Sequence, residues 1–346
     1  MDMYRNKFLS NNHSYYDGAS ILVHVNMRGN LDHPYLNFKT SLYMLSGERF
    51  ENKVQIDWPN PFQDDYPGFS ILGSSSINGI LCLYRYFKEN KKIVLWNPST
   101  EEFKIIPSSP IESGLYWDKL HGFGYDFHKH DYKVIRHITL FSENDDIDQS
   151  YGGKSFKTLW EIYSLQSNSW SQLYIDMPVC SGDKESVRVY LDGMCHWWGL
   201  GKTHTCKAYL VSFNMSNEVF VTTPMPSDMD DSCQYHSTGK HLVVLNGSIS
   251  IISIFSNTAT FHITILGEIG IEDSWIKLFI VGPLAFIEHP IGVWKNGNIF
   301  FRKEDDELVW FNISTKRIEE LGLKSRLKFG NIVYYKKSFC VIGGNK

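Results

Sequence analysis

Four short pairs punctuate this chain: Asn78-Gly79, Asp192-Gly193, Asn246-Gly247 and Asn296-Gly297. Each opens a short, largely apolar run: Ile80-Leu81-Cys82-Leu83, Met194-Cys195-His196-Trp197, Ser248-Ile249-Ser250-Ile251 and Asn298-Ile299-Phe300-Phe301. Gly takes positive φ without steric cost and Asn or Asp tolerates it, so such pairs predict tight two-residue hairpins. A second phrase, an aromatic residue and then a polar turn with Ser or Thr, recurs as well. It reads Trp96-Asn97-Pro98-Ser99-Thr100, Tyr163-Ser164-Leu165-Gln166-Ser167, Phe213-Asn214-Met215-Ser216-Asn217 and Phe311-Asn312-Ile313-Ser314-Thr315. Turns this frequent leave no room for long helices, and the Val, Ile, Phe, Tyr and Trp between them suit a pleated, half-buried surface. The chain reads as all-β.

The first phrase recurs at intervals of 114, 54 and 50 residues and the second at 67, 50 and 98. The two widest gaps are about double the common step, which leaves one missing member near residue 135 and another near 263. The shared period of roughly fifty residues is that of kelch-type propeller units. Five units fit between about Ser76 and Gly322, and the expectation is a β-propeller of six blades, with five to seven compatible with the period. The segment from about Ala19 to Asp57 and the carboxy-terminal strand Asn331 to Ile342 are expected to complete the ring together, since closure removes exposed strand edges. Ile93-Val94-Leu95-Trp96 and Leu242-Val243-Val244-Leu245 read as strands buried on both faces. His137-Ile138-Thr139-Leu140-Phe141 and Val187-Arg188-Val189-Tyr190 alternate, as one-sided strands do.

With 346 residues, 42% of them hydrophobic and 15% aromatic, the chain can bury a substantial core. A net charge of −4 gives no basic stripe for nucleic acid, and no apolar run is long enough to cross a bilayer as a helix. The opening Met1 to Leu9 has no signal-like apolar core. The six cysteines, at 82, 180, 195, 206, 233 and 340, form no CxxC pair and read as reduced thiols of the cytosol or nucleus. A monomer is expected.

In order along the chain, these phrases resemble the associated domain of plant F-box proteins, the receptors of ubiquitin ligases. The run Ser76 to Leu83 matches, as do Leu95 to Lys104, Gly122-Phe123-Gly124-Tyr125-Asp126, Asp131 to Ile135, Glu161 to Leu165, Ser169-Trp170 and Leu191 to Trp198. The resemblance implies a propeller that recognises a target protein and has no catalysis of its own. Members usually begin with a helical F-box that recruits the Skp adaptor and cullin, and nothing here matches it. Residues 1–17 look like a remnant of the segment that follows that box, and residues 18–346 like the propeller. The expectation is a substrate receptor without its ligase-docking end.

Other residue groupings suggest chemistry but have blander readings. Cys195, His196, His204 and Cys206 offer zinc-type donors, but Cys195 and His196 are neighbours on a strand and face opposite ways; a core thiol and a partly buried imidazole are expected, with no metal or other cofactor. His121, His128, His130 and His137 read as a solvated turn. Asp145-Asp146 with Asp148, Asp230-Asp231 and Asp305-Asp306 read as solvated loop charge rather than catalytic pairs. Trp96, Trp170, Trp197, Trp198, Trp275, Trp294 and Trp310 read as inter-blade packing, whereas Trp117 lies outside the phrases in the loop-like run Ile111 to Asp118 and reads as an exposed contact.

Repeats are scaffold, so recognition is expected where the units differ. The longest variable segments run from Ser142 to Phe156 and from Ser227 to Gly239. Their acidic residues with embedded aromatics suit a basic partner surface. Trp117, Asp145, Asp146, Tyr151, Asp230, Asp231 and Tyr235 are therefore the candidate partner-binding residues. The alternatives are a glycan-binding or glycan-hydrolysing propeller and a truncated copy without function.

Overall fold

The computed structural model describes residues 18–28, 38–59, 70–85, 91–111, 116–140, 157–175, 177, 179–181, 187–201, 207–226, 240–326 and 332–343. Strands β1 (Ala19–Arg28), β2 (Phe38–Ser46) and β3 (Asn52–Ile56) begin the first blade. The second blade is β4 (Ser70–Ile77), β5 (Ile80–Arg85), β6 (Lys92–Trp96) and β7 (Phe103–Ile105). The third is β8 (Tyr116–Asp126), β9 (Asp131–Leu140), β10 (Lys157–Ser164) and β11 (Ser169–Leu173). The fourth contains β12 (Val179–Ser181), β13 (Val189–Leu191), β14 (Met194–Gly201), β15 (Ala208–Asn214) and β16 (Phe220–Pro224), with β12 and β13 both paired to β14. The fifth is β17 (Lys240–Leu245), β18 (Ser248–Phe255), β19 (Thr260–Leu266) and β20 (Trp275–Val281). The sixth is β21 (Ile287–Val293), β22 (Ile299–Lys303), β23 (Glu307–Asn312) and β24 (Arg317–Lys324), after which β25 (Ile332–Lys336) returns to the first blade.

Six antiparallel units result among the described residues, as the repeat period predicts. Strand β25 pairs with β1 from Ala19↔Lys336 to Val23↔Ile332 and so supplies the first blade's innermost strand. It also touches β4 in parallel at Tyr334↔Ser75. The strands β4, β8, β13, β17, β21 and β25 each contact the next in a closed circuit. This circuit is the inner wall of the ring, and the two chain ends seal one blade as expected.

The core lies between blades. Six clusters of buried side chains fill the six seams among the described residues: Leu22 with Leu81 and Tyr335, Leu95 with Val134, Ile135 with Trp197, Val189 with Leu242, Ile263 with Phe301, and Phe300 with Val23. Trp96, Trp197, Trp198 and Trp310 are buried in these seams, as expected of the repeated aromatics. A cavity of about 10 Å³, lined by Ser74, Val187, His241, Gly292 and Tyr334 among others, has room for about one water.

Both repeated phrases are turns with a backbone reason. Asn78-Gly79, Asp192-Gly193 and Asn246-Gly247 have positive φ at both positions, from 49° to 81°, as a twist-matched two-residue hairpin demands. The fourth pair differs: Gly297, at φ 76°, ends a short 3-10 turn over Lys295–Gly297 that joins β21 to β22. In the second phrase the polar side chain caps its own turn. Asn97, Asn214 and Asn312 accept from the backbone N–H of Ser99, Ser216 and Thr315, and Ser164 accepts from Ser167; such local bonds favour turns over continued strand. The missing first-phrase member is the turn from Phe127 to His130 between β8 and β9, and the missing second-phrase member is the longer connection Gly267–Ser274.

Two readings of alternation are corrected. Along Val187-Arg188-Val189 and His137-Ile138 the polar members are buried as well as the apolar ones, with Arg188 7% and His137 8% exposed. Strands in a propeller pack against blades on both sides, so a polar residue in the pattern need not face water.

Candidate partner-binding surface

Antiparallel pairing sorts the connections by end. The turns from first to second and from third to fourth strand of each blade fall at one end of the ring, here the turn end. Connections from second to third strand, and from one blade to the next, fall at the other, here the loop end. Every member of both repeated phrases therefore lies at the turn end. The loop end carries the connections without a repeat, including 141–156 between β9 and β10 and 227–239 between β16 and β17.

The candidate residues follow this division. Asp145, Asp146, Tyr151, Asp230, Asp231 and Tyr235 lie outside the described residues, on the two loop-end connections. Trp117 is not on a loop: its backbone is in β8, opposite Thr139. That position is at the loop end, two residues before the 141–156 connection leaves β9. Of the seven, the structure places the Trp117 backbone alone, at the loop end.

Described loop-end groups add detail. Asp306 accepts from Arg302 at 2.7 Å and from Arg326 at 3.1 Å, so it is an ion-pair hub rather than solvated charge. Asp305 is the more exposed partner, 3.5 Å from Lys303. Phe286 is 70% exposed at the blade-to-blade connection beside β21, an exposed aromatic that no pattern in the sequence marks. Asp118 and Glu161 both pair with Arg136, at 3.1 and 2.8 Å, and Lys91 joins Asp118. The Arg136 guanidinium lies 4.0 Å over the Trp170 ring.

The four histidines expected together in a solvated turn divide into two pairs. His128 and His130 are exposed in the β8–β9 turn. His121 and His137 are buried, with Nε2 of the first 2.6 Å from Nδ1 of the second. A β-bulge between Leu120 and Gly122 turns His121 inward, where its ring sits 4.8 Å from Trp160 and 4.7 Å from Trp197. Burial holds His121 well below the usual imidazole range, reinforced by the charges of His137, Lys119 and Arg188. Burial, then Lys119 and Arg188, lowers His137 to about 4.

The zinc-type set has two described members, each engaged elsewhere. Cys195 donates to the Phe123 carbonyl at 3.3 Å and its thiol is raised by burial, while His196 Nδ1 meets Ser212 Oγ at 2.8 Å. Their side chains leave β14 on opposite faces; His204 and Cys206 lie outside the described residues. At the turn end, the fully buried Asp126 is met by Lys133 at 2.9 Å and Ser216 at 2.8 Å, and Lys133 also reaches Glu218 at 2.8 Å.

A closed ring with a repetitive turn end and a variable loop end defines a scaffold propeller. The chain belongs to the F-box associated beta propeller domain family, whose model matches residues 37–340. It is similar to an F-box/kelch-repeat protein of Arabidopsis thaliana, 24% identical over 251 residues that cover 72% of this chain and 62% of that protein. It is also similar to the F-box protein CPR1 of Arabidopsis thaliana, 23% identical over 277 residues, 73% of this chain and 63% of that one. The chain thus spans a little under two thirds of the length of these relatives. Among solved structures, TolB from Acinetobacter baumannii aligns over 91% of this chain and 66% of its own with 12% identity and a TM-score of 0.49, too loose a likeness to argue from.

Proposed function

We propose that this propeller is the target-recognition module of an F-box-type ubiquitin-ligase receptor, gripping another protein with its loop end and catalysing nothing itself. The observation that carries the reading is the separation of pattern within a member of this family: repeated turns at one end, non-repeating connections at the other. Loops on a rigid scaffold are where recognition evolves. Strand β1 starts at the turn end beside β25, so an upstream F-box leaves the ring on the side opposite the loops, and Skp adaptor and target engage opposite faces. A non-catalytic role is favoured by the pairing of Asp118, Glu161 and Asp306 with arginines. Cytosol and nucleus suit its thiols, and a monomer suits the closed ring.

The test joins the chain to an F-box and measures the half-life of co-purifying proteins in plant cells. A captured protein is a target when the fusion shortens its half-life and loop-replaced fusion does not. If capture and turnover are indifferent to the loops, the loop end is not the recognition face.

A further inference from the structure

One buried charge has no counter-charge among the described residues. Arg188 is 7% exposed, yet its Nε and one terminal nitrogen are buried without a hydrogen-bond partner, and no ion pair reaches it among the described residues. The acids of the adjoining blade are committed, Asp118 and Glu161 to Arg136. An uncompensated buried charge is strongly unfavourable, so a guanidinium left in this state calls for a partner beyond the described residues.

The side-chain direction follows from alternation. Val187 and Val189 pack with Leu242 and Val244 of the fifth blade, while the Tyr190 hydroxyl donates to Tyr125 O of the third. Arg188 has the parity of Tyr190 and faces the third blade. Since Val189 pairs with His196, Arg188 stands opposite Trp197, whose ring packs on His121. The influence of Arg188 on both His121 and His137 agrees with this position. Trp197 Nε1 and His121 Nδ1 are also buried without partners. Three neighbouring side chains at one seam thus hold unsatisfied polar nitrogens, and Lys119 adds positive charge beside them.

We propose that the seam between the third and fourth blades is an anion-receiving site, in which the Arg188 fork and Trp197 Nε1–H bind an oxyanion, phosphate or carboxylate. Arg presents planar paired donors that match such groups, and a desolvated site strengthens the contact. The anion is either a free ion or a group carried on a bound polypeptide. The site stands on Arg188 and its neighbours and is independent of the ligase reading.

The test is thermal unfolding of the purified chain titrated with inorganic phosphate, N-acetyl-phosphoserine amide or N-acetyl-aspartate amide, against chloride at matched ionic strength. The chain as it stands should gain about 2–4 °C, saturating with concentration. Arg188→Met should fold at least as stably and lose the gain, and Arg188→Lys should need several-fold more anion. A stronger response to a capped residue assigns the anion to a polypeptide; a response to phosphate alone assigns it to a free ion. No saturable gain, an undiminished gain in Arg188→Met, or failure of Arg188→Met to fold would each overturn the site, the last because it shows the guanidinium is already compensated within the chain.

Discussion

Tyr335 sits where closure of the ring is most exposed to test. It is on the returning strand β25, 1% exposed, in the seam cluster with Leu22, Leu42, Leu81, Leu83, Val94 and Trp96. Its hydroxyl meets Ser99 Oγ of the second blade at 2.7 Å. Tyr335→Ala removes a buried aromatic from a close-packed seam, a change that typically costs about 3–5 kcal/mol. Tyr335→Phe removes only the hydrogen bond, for about 1 kcal/mol. Against a total stability of roughly 5–15 kcal/mol, the larger loss is a substantial fraction of the whole. Because each blade is held by its neighbours, that loss should appear at every seam at once. Urea unfolding of Tyr335→Ala should remain one transition, with its midpoint shifted equally by far-ultraviolet circular dichroism and by tryptophan fluorescence. Native-state amide exchange should speed in β14 and β18 as well as in β1. If only β1 and β25 lose protection while β14 and β18 keep theirs, the ring is not closed as a unit and the closure argument fails.

Stability should also fall with acid before any carboxylate titrates. Burial lowers His24, His137, His196 and His289 to about 4 and His241 to about 3. The unfolded chain, with imidazoles near 6.5, binds the extra protons, so stability is fully present above about pH 6.5 and declines towards pH 4, by up to about 1.4 kcal/mol per unit for each histidine. Urea midpoints equal at pH 7.5 and 5.5 would refute this. Lys133→Met should cost about 3–5 kcal/mol by stranding the buried Asp126 carboxylate. That carboxyl feels burial first, which alone would raise it, but Lys133, the Lys129 N–H, Ser216 and the His128 N–H hold it lowered. Adding Asp126→Asn to Lys133→Met should recover part of the loss, measured by the same unfolding; no recovery would mean the pair is not coupled.

The fold was legible where backbone chemistry repeats. Asn78-Gly79, Asp192-Gly193 and Asn246-Gly247 announce hairpins because few residues accept positive φ, and Asn97, Asn214 and Asn312 announce capped turns because their side chains replace a backbone partner. Even the closing strand followed, since a ring of this period leaves Ala19–Arg28 needing a neighbour. Burial was less legible. Arg188 and His137 alternate with apolar residues as solvent-facing side chains do, and nothing local reveals that a second blade covers them. The His121–His137 contact needs a bulge and two strands in register, neither of which a spacing rule shows. Trp117 was misplaced because a strand that extends past its repeat looks like loop. The proposed binding residues rest on lack of pattern alone, which marks a variable connection and not the contacts made there.

The most direct test of recognition by the loop end compares two forms of this propeller in plant extract. One carries segments 142–156 and 227–239 as they are; the other has both replaced by Gly-Ser stretches of equal length. Their circular dichroism and unfolding midpoints should match, since the replacement leaves every described seam residue in place. Quantitative affinity capture should then find a set of proteins enriched on the first and lost from the second. The same set on both forms, with the fold intact, would contradict the account and move recognition to another surface.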